Sequence, residues 1–156
     1  MTQDHATSPG TRFFASPGDF VLAASALGWL VRARLVHLRR PAPELLARLR
    51  RPGPADRPRR PLPLARVSRA IAAWSRRAPW RSDCMIQALA AKMWLDRRGL
   101  PTEMRLGAAR SGDGALDAHV WILSDGEVVT GGPLDRGDWT AFAPAGTAVG
   151  NVSEGS

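Results

Sequence analysis

CMIQALAAKMWLDRR, residues 84–98, contains no proline or glycine and consists mostly of strong helix formers. It is apolar on nearly every face until Lys92, Asp96, Arg97 and Arg98, which predicts a buried helix whose far end reaches solvent. Ser82 or Asp83 stands where an N-cap accepts the first free N–H groups, and Gly99 followed by Pro101 stands where a helix closes. Downstream lie TEMRLGAA (102–109), DAHVWILS (117–124) and EVVTGG (127–132), each long enough for a strand. Asp125-Gly126 is a strong two-residue hairpin signal between the last two, and RSGDGAL (110–116) joins the first two as a loop. The order predicts an antiparallel meander with the helix packed on it, an α+β architecture.

Upstream, the chain differs in kind. Residues 1–77 hold 15 arginines against 4 acids, +11, while residues 78–156 hold 7 Lys/Arg against 10 acids, −3; the sum is the net charge of +8. Nearly every cation is arginine, with a single lysine at position 92, and Ala and Pro are abundant. A high-GC genome accounts for much of this, so the basic balance alone does not predict nucleic-acid binding. After a polar tail at 1–12, a helix is predicted from about Phe20 to Leu38, with apolar residues at 20, 21, 24, 27, 31 and 35 at helical spacing. Arg32, Arg39 and Arg40 suit the negative end of its dipole. A short helix is predicted around Pro43–Leu49. RRPGPADRPRRPLP (50–63) admits neither helix nor strand and reads as a linker. A third helix, Leu64–Arg76, places Ala65, Ser68, Ile71, Ala72 and Ser75 near one side.

Several classes are disfavoured. The start, MTQDHATSPG, lacks the charged and apolar regions of a secretory signal. The run FVLAASALGWLVRARLV (20–36) meets Arg32 and Arg34 after about a dozen residues, short of the roughly 20 that span a bilayer. No spanning helix is predicted, whereas an amphipathic helix resting on a membrane or a partner stays open. One cysteine forms no internal disulfide, and no Cys/His cluster has zinc spacing, so a cytoplasmic protein without metal or cofactor is expected.

That cysteine, Cys84, falls in the first turn of the buried helix. Free cysteines often only pack, but free N–H groups and the positive dipole end favour a thiolate and are expected to lower the thiol pKa. His119 lies in an alternating strand, sharing a face with Trp121 and Leu123 while Val120 and Ile122 point the other way. A strand packed on the cysteine helix brings an imidazole to the thiol across 35 residues of sequence. A lone strand histidine is more often structural; the joint arrangement is what points to chemistry.

CMIQAL opening a helix, RRGLPTEMRLG after it, and AHVWILSDGEVV resemble the papain-like, transglutaminase-type cysteine domain of the lasso-peptide leader peptidases, the B-type proteins. The likeness covers about residues 80–135, and the small size and basic helical N-terminal part are also similar. The resemblance implies a transglutaminase-like cysteine protease fold at 63–156 with a basic helical extension and linker at 1–62. It implies a peptidase that removes the leader from a ribosomally made precursor, working with a leader-recognition protein and an ATP-dependent lasso cyclase. Cys84 then matches the nucleophile and His119 the general base and acid, Trp121 an aromatic beside the site, and Gln87 a polar position of the motif.

The family commonly carries an orienting Asp on the strand after the hairpin, about a dozen residues beyond the histidine. With Asp125-Gly126 as the turn, Leu123 pairs with Val128 and His119 falls opposite Gly132. Gly131 and Gly132 offer no side chain to an imidazole. Asp135 is the next carboxylate and is taken as the third partner; Asp138 follows it, and Asp117 shares the face of His119 but needs an awkward bend. Loss of the orienter still leaves nucleophile and base with much of the catalysis. Two other functions use the same residues: acyl transfer to an amine through the same thioester, and a non-catalytic adaptor that holds leader peptide. The basic half is expected to steer an acidic peptide or partner rather than nucleic acid, with peripheral membrane contact as a further use.

Overall fold

The computed structural model of the chain describes residues 17–53, 56–110, 116–132 and 140–142. Four helices, α1 (Pro17–Arg39), α2 (Ala42–Arg50), α3 (Leu64–Arg77) and α4 (Cys84–Arg97), precede strands β1 (Glu103–Arg110), β2 (Leu116–Ser124), β3 (Glu127–Thr130) and β4 (Thr140–Phe142). The first three strands make the expected antiparallel meander. β4 was not expected: three residues are too few to show the period-two pattern. It pairs with the outer edge of β1, giving the order β3-β2-β1-β4. Asp125 and Gly126 both take positive φ, 48° and 82°, as the tight hairpin between β2 and β3 requires.

α4 lies between α1 on one side and β2 on the other, so it is buried nearly all round. Asp83 is its N-cap, with Oδ1 accepting the Ile86 N–H at 3.1 Å. Gly99 closes it at φ +67°, where an added Cβ would lie 2.8 Å from the carbonyl oxygens of Arg57 and Pro58. Lys92 departs from expectation. It is 2% exposed, and its ammonium donates to Asp96 at 3.1 Å and to the Thr102 hydroxyl at 2.8 Å. A charge so placed is tolerable because a carboxylate and a hydroxyl replace its water.

α1 turns a different face inward from the one its large apolar residues suggest. Ala23, Ala26, Leu30 and Ala33 are buried, while Val21, Val31, Leu35 and Leu38 are exposed. Small residues permit close helix approach, and α1 packs directly on α4. α3 is also rotated from its expected face: Val67, Ala70, Ile71 and Ala73 are buried, and only Ile71 was foreseen.

The Pro/Arg segment has no helix or strand among its described residues, as expected, yet it is strapped to the body. The Arg60 N–H donates to the Arg98 carbonyl at 2.8 Å, and the Arg57 guanidinium to the Asp96 carbonyl at 3.3 Å. One hydrophobic cluster joins Leu30, Leu45 and Leu49 from before the strap to Ile71, Leu89, Ile122 and Val129 beyond it.

Candidate active site

Cys84 is the first residue of α4. Asp83 anchors the start of this helix: its carboxylate accepts from the otherwise free Ile86 N–H and its carbonyl accepts the first helical bond from the Gln87 N–H, each at 3.1 Å. The Gln87 amide donates to the Ser82 carbonyl at 3.0 Å, and the Ser82 hydroxyl meets that of Ser75 in α3 at 3.3 Å. The motif glutamine therefore braces the loop that delivers the cysteine. The sulfur lies 4.0 Å from the Ala118 carbonyl oxygen, and the Val120 N–H faces it. Those two main-chain groups flank His119. β3 pairs with β2 only from Ile122 to Ser124, so Cys84 meets β2 beyond that ladder.

Burial pushes the Cys84 thiol pKa up, the Val120 N–H draws it down, the nearby Asp83 carboxylate pushes it up again, and the N–H groups of Met85 and Cys84 draw it down. The net direction is upward. This corrects the lowered pKa expected from the helix terminus alone. The N–H groups at the terminus do favour the thiolate, but loss of water around the sulfur outweighs them.

His119 stands opposite Gly107 in β1 and is half-buried. Its Nε2 lies 2.7 Å from the Gly131 carbonyl oxygen. A carbonyl only accepts, so Nε2–H is the donor and the neutral ring carries its lone pair on Nδ1, the form a general base needs. Two expectations change here. Leu123 does pair with Val128, but a bulge follows, and Ile122 pairs with Thr130, so the count beyond it runs one residue further and Gly132 is no longer opposite His119. Gly131, expected to offer the imidazole nothing, binds it through the main chain.

Trp121 explains why a glycine stands at 131. Its ring meets the His119 ring edge-on, centroids 4.6 Å apart at 71°, and a Cβ on Gly131 would lie 2.5 Å from its Cδ1. Gly131 also has φ +105°, a conformation L side chains rarely adopt. The signal was present in the sequence as the Gly-Gly pair after EVVT, but side-chain reasoning passes over a carbonyl.

Asp135 and Asp138 lie outside the described residues. Asp117 pairs through its backbone with Ala109, and its side chain is also outside the description. Among the described residues no cluster of His, Cys, Asp and Glu has the makings of a metal site.

A buried cysteine helix packs on an antiparallel sheet whose adjoining strand carries a histidine. The profile of the transglutaminase-like superfamily, Transglut_core3, matches residues 26–146. The chain belongs to the transglutaminase-like superfamily. No curated protein and no solved structure matches it. The transglutaminase-like match begins within α1 and takes in all of α2, so it covers the basic helices as well as the cysteine–histidine region. Proteins of this superfamily are typically cysteine hydrolases or acyl transferases, chemistry that runs through a thioester.

Proposed function

We propose that the chain is a cysteine peptidase that removes the leader from a lasso-peptide precursor. The observation that carries the chemistry is the Cys84 sulfur against the main chain of Ala118 and Val120, the residues before and after His119 in β2, together with the His119 Nε2–H engaged by the Gly131 carbonyl. The substrate rests on the likeness of CMIQAL and AHVWILSDGEVV to the lasso leader peptidases.

In this mechanism His119 takes the thiol proton as the sulfur attacks the amide carbon at the leader–core junction. The new oxyanion is met by the Cys84 N–H, with the dipole end of α4 behind it. His119 then protonates the departing amine as the C–N bond breaks, leaving a leader thioester on Cys84. Water, deprotonated by His119, hydrolyses that thioester and frees the leader carboxylate. A thiol that rests protonated and gives up its proton only as it attacks agrees with the upward thiol pKa. Asp135 remains the proposed orienting carboxylate, in this reading sharing the Nε2–H with the Gly131 carbonyl, and the reaction needs no cofactor. The partners of this reading are the precursor leader, a recognition protein that presents it and the cyclase that closes the ring, all in the cytoplasm.

Incubation of the full chain with precursor and recognition protein, followed by mass spectrometry, tests this. Free leader and core are expected from the native chain, and a loss of at least about a thousandfold from Cys84→Ala. Full cleavage by that variant overturns the reading. Leader joined to an added amine assigns acyl transfer instead, and leader bound but uncut assigns an adaptor.

A further inference from the structure

We propose that the outward face of α1 docks on anionic phospholipid, holding the protein at a membrane surface. α1 is apolar on two faces. One is in the core, with Ala26, Leu30 and Ala33 at 0% exposure; on the other Val31, Leu35 and Leu38 are 40%, 46% and 62% exposed, and Val21 is 63% exposed. At about 100° per residue, Val31, Leu35 and Leu38 fall within roughly 60° of arc. Arg34 borders this stripe on one side, about 60° from Val31, and Arg32 and Arg39 border it on the other, about 80–100° away. From Phe20 to Pro43 the chain holds four arginines and no acid. Arg40 pairs with Glu44, while among the described residues no carboxylate pairs with Arg32, Arg34 or Arg39.

The charges select the occupant. A second copy of the chain would bring arginine edge against arginine edge, since the stripe carries cations on both borders. An anionic bilayer satisfies both parts of the pattern at once. Valine and leucine side chains enter the acyl boundary, and arginine stems lie along them with the guanidinium groups among phosphates. Contrary to the sequence expectation, α1 holds a stretch of 18 residues long and apolar enough to cross a membrane by length and composition. Spanning, however, would strip Ala26, Leu30 and Ala33 from the core, whereas lying flat uses only the face the fold leaves outside. Because α1 packs on α4 and α4 on β2, the strand bearing His119 stands one helix layer away from the docked surface.

Sedimentation of the full chain with vesicles of equal parts phosphatidylglycerol and phosphatidylcholine, and with phosphatidylcholine alone, tests the proposal. Binding to the anionic vesicles at low salt, and little to the neutral ones, is expected. Arg34→Gln combined with Arg39→Gln is expected to weaken it roughly twenty-fivefold, about fivefold per arginine. Leu35→Glu is expected to abolish binding while the unfolding temperature stays near that of the native chain. Should Leu35→Glu disturb folding, the double arginine variant, altered only at the helix surface, carries the test. The proposal is overturned by absence of binding to anionic vesicles, or by binding that neither variant reduces. It is equally overturned by a dimer in solution that Leu35→Glu dissociates, which assigns the face to a second copy.

Discussion

Asp83 does two things to Cys84 at once. Its carboxylate caps α4, which presents the cysteine, and its charge raises the pKa of the thiol beside it. Asparagine keeps the capping oxygen without the charge, so Asp83→Asn is expected to lower the thiol pKa with the helix intact. Alkylation by iodoacetamide measures it: the native rate should climb through and beyond the ordinary thiol range, and the Asn variant should reach its plateau at lower pH. The raised pKa also favours the folded state below the ordinary thiol range, and this is lost as pH rises through the folded value. Cys84→Ala should therefore flatten the alkaline decline in stability. At His119 the decisive neighbour is a carbonyl. Gly131→Ala sets a Cβ against Trp121 at a positive φ, so a loss of about 1–3 kcal/mol in unfolding free energy is expected. Its activity should fall further than stability alone accounts for, because the displaced carbonyl no longer fixes the Nε2–H tautomer that leaves the lone pair on Nδ1. Both His119 and Cys84 were legible from local pattern, one by strand alternation and one by its place after a cap. The carbonyl was not, since it belongs to no side chain and depends on a bulge.

Among the elements, α4 was the most legible, with cap, apolar length and closing glycine all in sequence. Asp83→Ala removes the cap and is expected to cost about 1 kcal/mol, measured by denaturant unfolding against Asp83→Asn, which should cost little. α1 and α3 were legible as helices but not in their faces. α1 carries two apolar stripes, and periodicity cannot choose between them; the one with the smaller residues, Ala23, Ala26 and Ala33 beside Leu30, is the one buried. The same limit applies to Lys92. Its charge reads as a solvent marker until the fold brings Thr102 beside Asp96 to receive it. β4 exists because the outer edge of β1 offers free backbone groups, a partner that local sequence does not reveal.

At the scale of the molecule, one core crosses the proline-rich strap. A fragment beginning at residue 63 would lose Ala26, Leu30, Leu45 and Leu49 from the core and uncover the side of α4 that packs on α1. It is expected to bind hydrophobic dye and melt without a cooperative transition, whereas the full chain gives one; a sharp calorimetric transition from the fragment would refute a shared core. Sequence by itself determined the helices, the meander, the tight hairpin and the places of Cys84 and His119 on helix and strand, because caps, periodicity and turn glycines act over a few neighbours. Only the tertiary structure decided which face of α1 is inside, where Lys92 finds its counter-charge and what holds the His119 ring. It also set the direction of the Cys84 pKa. Each of these depends on groups far apart in the chain that meet only when α4 is enclosed, and on the water excluded when they do.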